Sequence, residues 1–213
     1  MKRTSIMTIL SKSSVFLCLV FLNMWTAPAY SIAYCALRDP VVNIYKLFPE
    51  ATSYRSIVHK ITSGTQQQVK NKVSFSIHNN ELGQHTLYIA MNKKTPIGIV
   101  HSRSEVGLWG LIEIVWALDF NLNIVDFTFQ RCRERACKEL ELSLVFRELI
   151  KGKSAQELSA LIEQENFSFP PDMADNEEIK VLAKLIIRSA IKTALVTEIS
   201  WHDQLQSIKG AGD

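Results

Sequence analysis

The strongest constraint on the fold is a run of four strand-like segments packed into residues 86–129. Thr86 to Met91 and Pro96 to Arg103 flank the turn Asn92-Lys93-Lys94-Thr95. Leu111 to Leu118 and Ile124 to Phe129 flank a second turn over Asp119 to Asn123. Between the two pairs stands Gly107-Leu108-Trp109-Gly110. Parallel strands need a crossover of roughly a dozen residues or more, and none of these connections has room for one. The four segments are therefore expected to pair as antiparallel hairpins.

Helical patterns flank this block. Asp39-Pro40 opens an amphipathic helix with Val41, Ile44, Tyr45, Leu47 and Phe48, and Pro49 stops it. Tyr54 to Ile61 reads as a strand, as does the alternation of Val73, Phe75 and Ile77. Residues 65–72 between them read as loop or a short helix, and Asn79 to Gly83 as a turn region. Beyond the hairpins, Glu139 to Ile150 reads as one helix. Ser154-x-x-Glu157 is a capping box ahead of Leu158, Leu161 and Ile162. Residues 167–175, with Pro170-Pro171, read as a linker. Asp175-x-x-Glu178 then opens a long helix to about Trp201. The order predicts an α+β fold: an antiparallel sheet with an N-terminal helix and C-terminal helices.

Residues 1–29 read as a cleavable secretory signal peptide. Lys2, Arg3 and Lys12 make a positive start, Val15 to Trp25 is apolar but for Asn23, and Ala27-Pro28-Ala29 offers small residues for cleavage. Ala29-Tyr30-Ser31 and Ser31-Ile32-Ala33 are rival sites. The apolar run is shorter than the roughly 20 residues of a membrane span, so an uncleaved anchor is the secondary reading. Tyr34 before Cys35 is unsuited to lipid attachment. The mature chain is thus expected to be one domain, residues 30–213, periplasmic or secreted and without a transmembrane segment. Removing Lys2, Arg3 and Lys12 from 24 Lys+Arg leaves 21 against 21 Asp+Glu, so no global basic field for nucleic acid remains. In an oxidising compartment Cys35, Cys132 and Cys137 allow one disulfide and one leftover thiol. The expected bridge runs from Cys35 to Cys132 or Cys137. A single C-x4-C is a poor metal motif.

The ordered segments Ile44 to Ala51 (IYKLFPEA), Pro96 to Val100 (PIGIV), Gly107 to Ile112 (GLWGLI), residues 113–129 (EIVWALDFNLNIVDFTF) and Phe146 to Lys153 (FRELIKGK) resemble an FMN-binding domain. This is the family of the Rnf electron-transport complex G subunit and the sodium-pumping NADH:quinone reductase C subunit. The resemblance spans about 160 residues and implies an FMN site, electron transfer and a periplasmic redox or membrane-complex partner. In the covalent members a threonine ending the SGAT motif carries the flavin. Placing Ser189-Ala190-Ile191 at the end of that motif region puts Leu185 at the acceptor position, and leucine has no hydroxyl. Any FMN here is therefore expected to bind non-covalently. The family's segment after the second hairpin is also replaced, by Gln130-Arg131-Cys132-Arg133. A non-catalytic binding or assembly module that has lost flavin is the alternative.

Several residues are candidates for such a site. Gly107 and Gly110 bracket Trp109, whose indole suits stacking on an isoalloxazine; a turn with a packed tryptophan is the plainer reading. His101, Arg103 and Glu105 share one strand face, as a pocket mouth for a phosphate or ribityl chain or as an exposed strand end. Glu113 interrupts an otherwise apolar strand and would meet a ring nitrogen, an arginine or water. Arg131, with Arg133 and Arg135, suits a phosphate or a solvated connection. Lys180, Lys184, Arg188 and Lys192 form a basic stripe on the last long helix, opposite Leu182, Ile186, Ala190 and Thr193. The stripe reads as a solvated face or an anion surface, with Lys184 the candidate beside Leu185. No nucleophile or general base stands out.

N-terminal sequencing of secreted protein is expected to begin at Tyr30, or close by at Ile32 or Tyr34. Exported protein that retains Met1 would contradict the leader assignment.

Overall fold

The computed structural model describes residues 39–164, 169–170, 173 and 175–210. The expected leader, residues 1–29, and Cys35 lie outside them. Five strands form one antiparallel meander in sequence order: β1 (Ser53–Ile61), β2 (Gly83–Asn92), β3 (Thr95–Gly107), β4 (Gly110–Leu118) and β5 (Ile124–Arg131). The expected hairpins are all present, and the α+β class holds. The β3–β4 hairpin extends to its tip, where Gly107 faces Gly110 across a two-residue turn.

The segment around Val73, Phe75 and Ile77 is not a strand. The chain before it forms helix α2 (Ser63–Lys72), and Gln66 on that helix engages one backbone carbonyl that a strand would offer a neighbour. Its side-chain amide donates to the Ile77 carbonyl at 2.7 Å, and its own carbonyl accepts from Ser76 Oγ at 3.0 Å. The alternation still reports an inward face, since Val73, Phe75 and Ile77 all pack on the core.

Helix α1 (Val41–Leu47) forms where expected but without a side-chain cap. Asp39 instead accepts from the Tyr88 hydroxyl; burial and this bond together raise the Tyr88 pKa. The expected single helix over 139–150 is two, α3 (Arg135–Leu142) and α4 (Leu144–Ile150). Ser143 Oγ caps the second by accepting from Phe146 N at 3.1 Å, while Arg147 Nε captures the Glu141 carbonyl at 2.7 Å. The Ser154–Glu157 capping box opens α5 (Ala155–Glu163). The long helix α6 (Glu177–Ser200) is capped one residue later than expected: Asn176 Oδ1 accepts from Glu178 N and Ile179 N. Helix α7 (His202–Gly210) follows. Among the described residues no helix is long and apolar enough to cross a membrane.

The sheet is covered on both faces. Helix α6 lies on one, over Ile89, Ile99, Ile112, Ile114, Trp116 and Phe127, with α2, α3 and α5 packed around it. Helix α1 lies on the other, over Tyr88, Ala90, Val100, Val115 and Ala117. Lys46 anchors it by donating to Thr128 Oγ1 and Glu141, each at 2.8 Å. Burial alone would raise the Glu141 pKa, but Lys46, Thr128 and the Phe129 amide outweigh it and lower it. Phe48 lies so close to β3 that a Cβ on Gly98 would meet its ring at 2.2 Å. Gly98→Ala is therefore expected to displace Phe48 and cost about 1–3 kcal/mol, the usual scale of overpacking. Urea denaturation measures it, and a variant as stable as wild type would show that α1 is free to move aside.

Candidate functional site

Alternation along β3 sends Ile99, His101, Arg103 and Glu105 toward α6. These polar residues do not form an open pocket mouth; all three are buried. Arg103 Nη2 donates to Glu81 Oε2, and Lys192 Nζ donates to Glu105 Oε2 at 2.6 Å. Lys192 also lies 3.6 Å from Glu81 Oε1. Two cations and two carboxylates thus close on one another between β3, α6 and the short 3-10 turn Asn79–Glu81. Glu81 Oε1 further accepts from His78 N at 2.7 Å. Buried charges persist only when matched in this way. Arg103 Nη1, Glu105 Oε1 and His101 Nε2 have no partner among the described residues.

Two histidines border the cluster. Thr197 Oγ1 donates to the Thr193 carbonyl at 2.7 Å. Its proton being committed, His101 Nδ1 must be the donor in the 2.9 Å contact with Thr197 Oγ1. His101 also packs edge-on against Trp201, centroids 5.2 Å apart. His85 Nε2 meets the Glu81 carbonyl at 2.9 Å. Burial, then the Arg103 charge, lowers the His85 pKa to about 4. Burial, then Arg103 and His85, holds His101 well below its ordinary value.

The open feature lies just beyond this cluster. A cavity of about 300 Å³ is lined by Val106 and Gly107 at the end of β3, Leu108 in the turn, Glu134, and Val181, Leu182, Lys184, Leu185 and Arg188 on α6. Glu134 builds its rim: the Oε1 atom accepts from Leu108 N at 2.6 Å. The same oxygen would lie 2.1 Å from a Cβ at position 107, so this approach requires glycine there. Glu134 is held in the short loop that the Cys132–Cys137 disulfide closes. That bridge corrects the expected one: neither Cys132 nor Cys137 is left for Cys35.

The expected site residues are thus divided. Gly107 and Lys184 both line the cavity, together with Leu185 at the acceptor position. Trp109 and Gly110 stand beside it at the turn, and Trp109 is 68% exposed. His101, Arg103 and Glu105 are sealed under α6. Glu113 alternates with Ile112 and Ile114 and so faces the other side of the sheet, where it is buried 3.9 Å from Arg131 Nη1. Arg131 and Glu113 are therefore not brought to the cavity. The basic stripe divides too: Lys184 and Arg188 are exposed, Lys180 is half-buried beside Glu177, and Lys192 is interior. Sequence reasoning missed Glu81, Glu134 and the buried role of Lys192. The one available signal for Glu134 was its place inside the C-x4-C spacing of Cys132 and Cys137. A second hollow, of about 250 Å³ between the β4–β5 turn and α7, contains none of the expected residues.

No protein-family model and no curated protein matches the chain.

The histidines set a pH dependence. Both are neutral in the folded protein near pH 6, whereas in the unfolded chain they titrate near 6.5. The unfolded state therefore binds more protons as pH falls below about 6.5, and stability drops until the folded histidines titrate, at about 4 for His85. The slope contributed is at most about 1.4 kcal/mol per pH unit per histidine. His101→Gln is expected to flatten it. Urea denaturation at a series of pH values checks this, and stability unchanged over that window would contradict it.

Proposed function

We propose that the protein is an exported flavoprotein module that holds FMN without a covalent bond and passes electrons to a periplasmic or membrane-complex partner. The observation that carries this reading is the shared cavity. The 107–110 hairpin and position 185 are far apart in sequence, the family resemblance ties both to flavin, and both border one hollow.

The lining suits such a ligand chemically. Val106, Leu108, Val181, Leu182 and Leu185 offer an apolar wall for a ring system. Lys184 and Arg188 stand one helical turn apart on α6 and suit a phosphate. The volume is at the lower edge of the roughly 300–1,000 Å³ usual for small-molecule sites, so part of an FMN would lie outside it. Leu185 supplies no oxygen for a phosphoester. Bound flavin would supply the electron chemistry, and the protein position and electrostatics. Glu134 acts here as a positioning residue, since its carboxylate fixes the turn over the cavity.

A second reading keeps the fold without the flavin. It is favoured by the engagement of Arg103 with Glu81 and by the placement of Arg131 across the sheet, which leave two of the candidate phosphate ligands unavailable.

Protein purified with excess FMN is expected to be yellow, and acid denaturation should release all of the flavin. No fluorescent band should remain on a denaturing gel. Lys184→Glu and Arg188→Glu should each weaken FMN binding by at least about tenfold, the scale of one charge-assisted hydrogen bond. Flavin retained on a peptide containing residues 180–197 would contradict the non-covalent assignment. Folded protein that never takes up FMN would leave the flavin-free reading.

A further inference from the structure

We propose that the tip of the β3–β4 hairpin is a shallow anchor on an anionic lipid surface. Leu108 and Trp109, the two residues of the turn, are 70% and 68% exposed. Val106 and Val181 beside them are also exposed, and with Leu108 they border the same cavity. The apolar groups are therefore contiguous around a protruding point. A contiguous exposed apolar group, unlike a single exposed side chain, marks an interaction site.

Shape and charge select the partner. A stable protein interface covers roughly 800 Å² on each side around a well-packed core, far more than a two-residue convex turn presents. A bilayer interface accepts a wedge of this kind, with the indole at headgroup level and the aliphatic side chain beside it. Cations surround the tip. Lys184 and Arg188 line the cavity under Leu108, and both are exposed. The Glu134–Leu108 bond holds the 132–135 segment against the turn, and Arg133 and Arg135 on either side of Glu134 are exposed. Glu134 itself is buried and committed to the backbone, so the carboxylate in their midst faces inward while four cations face water. Glu177 and Glu178, one turn before Val181, are exposed as well, with Glu177 paired to Lys180. The cationic side of the tip is therefore the one that Lys184, Arg188, Arg133 and Arg135 bound. Basic groups beside an apolar tip are drawn to anionic headgroups within a Debye length of the surface. This reading does not require flavin.

The test uses the full chain with vesicles of phosphatidylcholine alone, and with a quarter phosphatidylglycerol, each containing lipid brominated near the headgroup. The readout is the emission difference between wild type and Trp109→Phe, which isolates Trp109 from Trp25, Trp116 and Trp201 whatever else holds the chain to the vesicle. Trp109 emission is expected to lose most of its intensity on the anionic vesicles, to lose far less on the neutral ones, and to recover as salt is added. Leu108→Ser, an exposed change that should leave the circular dichroism spectrum as it is, should cut the quenching severalfold. Trp109 that stays unquenched on anionic vesicles overturns the proposal, and a protein partner found to cover Trp109 in that case would replace it. Equal quenching on neutral vesicles would likewise overturn it, since the cations would then select no anionic surface.

Discussion

Arg103 and Lys192 place two positive charges where the protein interior must match them. Glu81 and Glu105 do so, and the match joins β3, α6 and the turn before β2 at one point. Removing one partner from a buried pair costs about 3–5 kcal/mol, because the other charge is left without compensation. The net gain from forming such a cluster is small, so its main consequence is positional. Residues 189–197 of α6 are buried all round, and only one of them is charged. A slip of the helix by one residue would carry Lys192 into the layer of Ile187 and Ile191, and that alternative is strongly disfavoured.

With α6 fixed in this register, its N-terminal half overhangs the end of β3. Leu185 and Arg188 then lie opposite Gly107 and Leu108, and the gap between them is the cavity. The hairpin tip is fixed from the other side by Glu134, in a loop shortened by the Cys132–Cys137 disulfide. The cavity is thus a product of two tethers, one ionic and interior, the other a single carboxylate on a closed loop.

How much of this was legible in the sequence depended on the kind of constraint. The hairpins at Asn92–Thr95 and Asp119–Asn123 were legible because connection length excludes parallel pairing. The Ser154 capping box was legible because it is local. The segment with Val73, Phe75 and Ile77 misled because alternation reports which side meets the core, not whether a partner strand exists; Gln66 engages the Ile77 carbonyl instead. Lys192 was placed on the correct helix and stripe, but four-residue spacing does not tell how many neighbours cover each turn. Arg103 could be assigned to a face and not to a partner, since Glu81 sits 22 positions away in what reads as a turn. The pairing of Cys132 with Cys137 likewise depends on how tightly the chain turns after β5.

The cavity between the hairpin tip and α6 is the proposed flavin site. Backbone hydrogen–deuterium exchange, with and without saturating FMN, tests that most directly. Slowed exchange confined to residues 106–110, the neighbourhood of Glu134 and the first turns of α6 around 181–188 is the predicted result. No change anywhere, or protection centred on the second hollow around Phe120, Gln156 and Leu205, would contradict it.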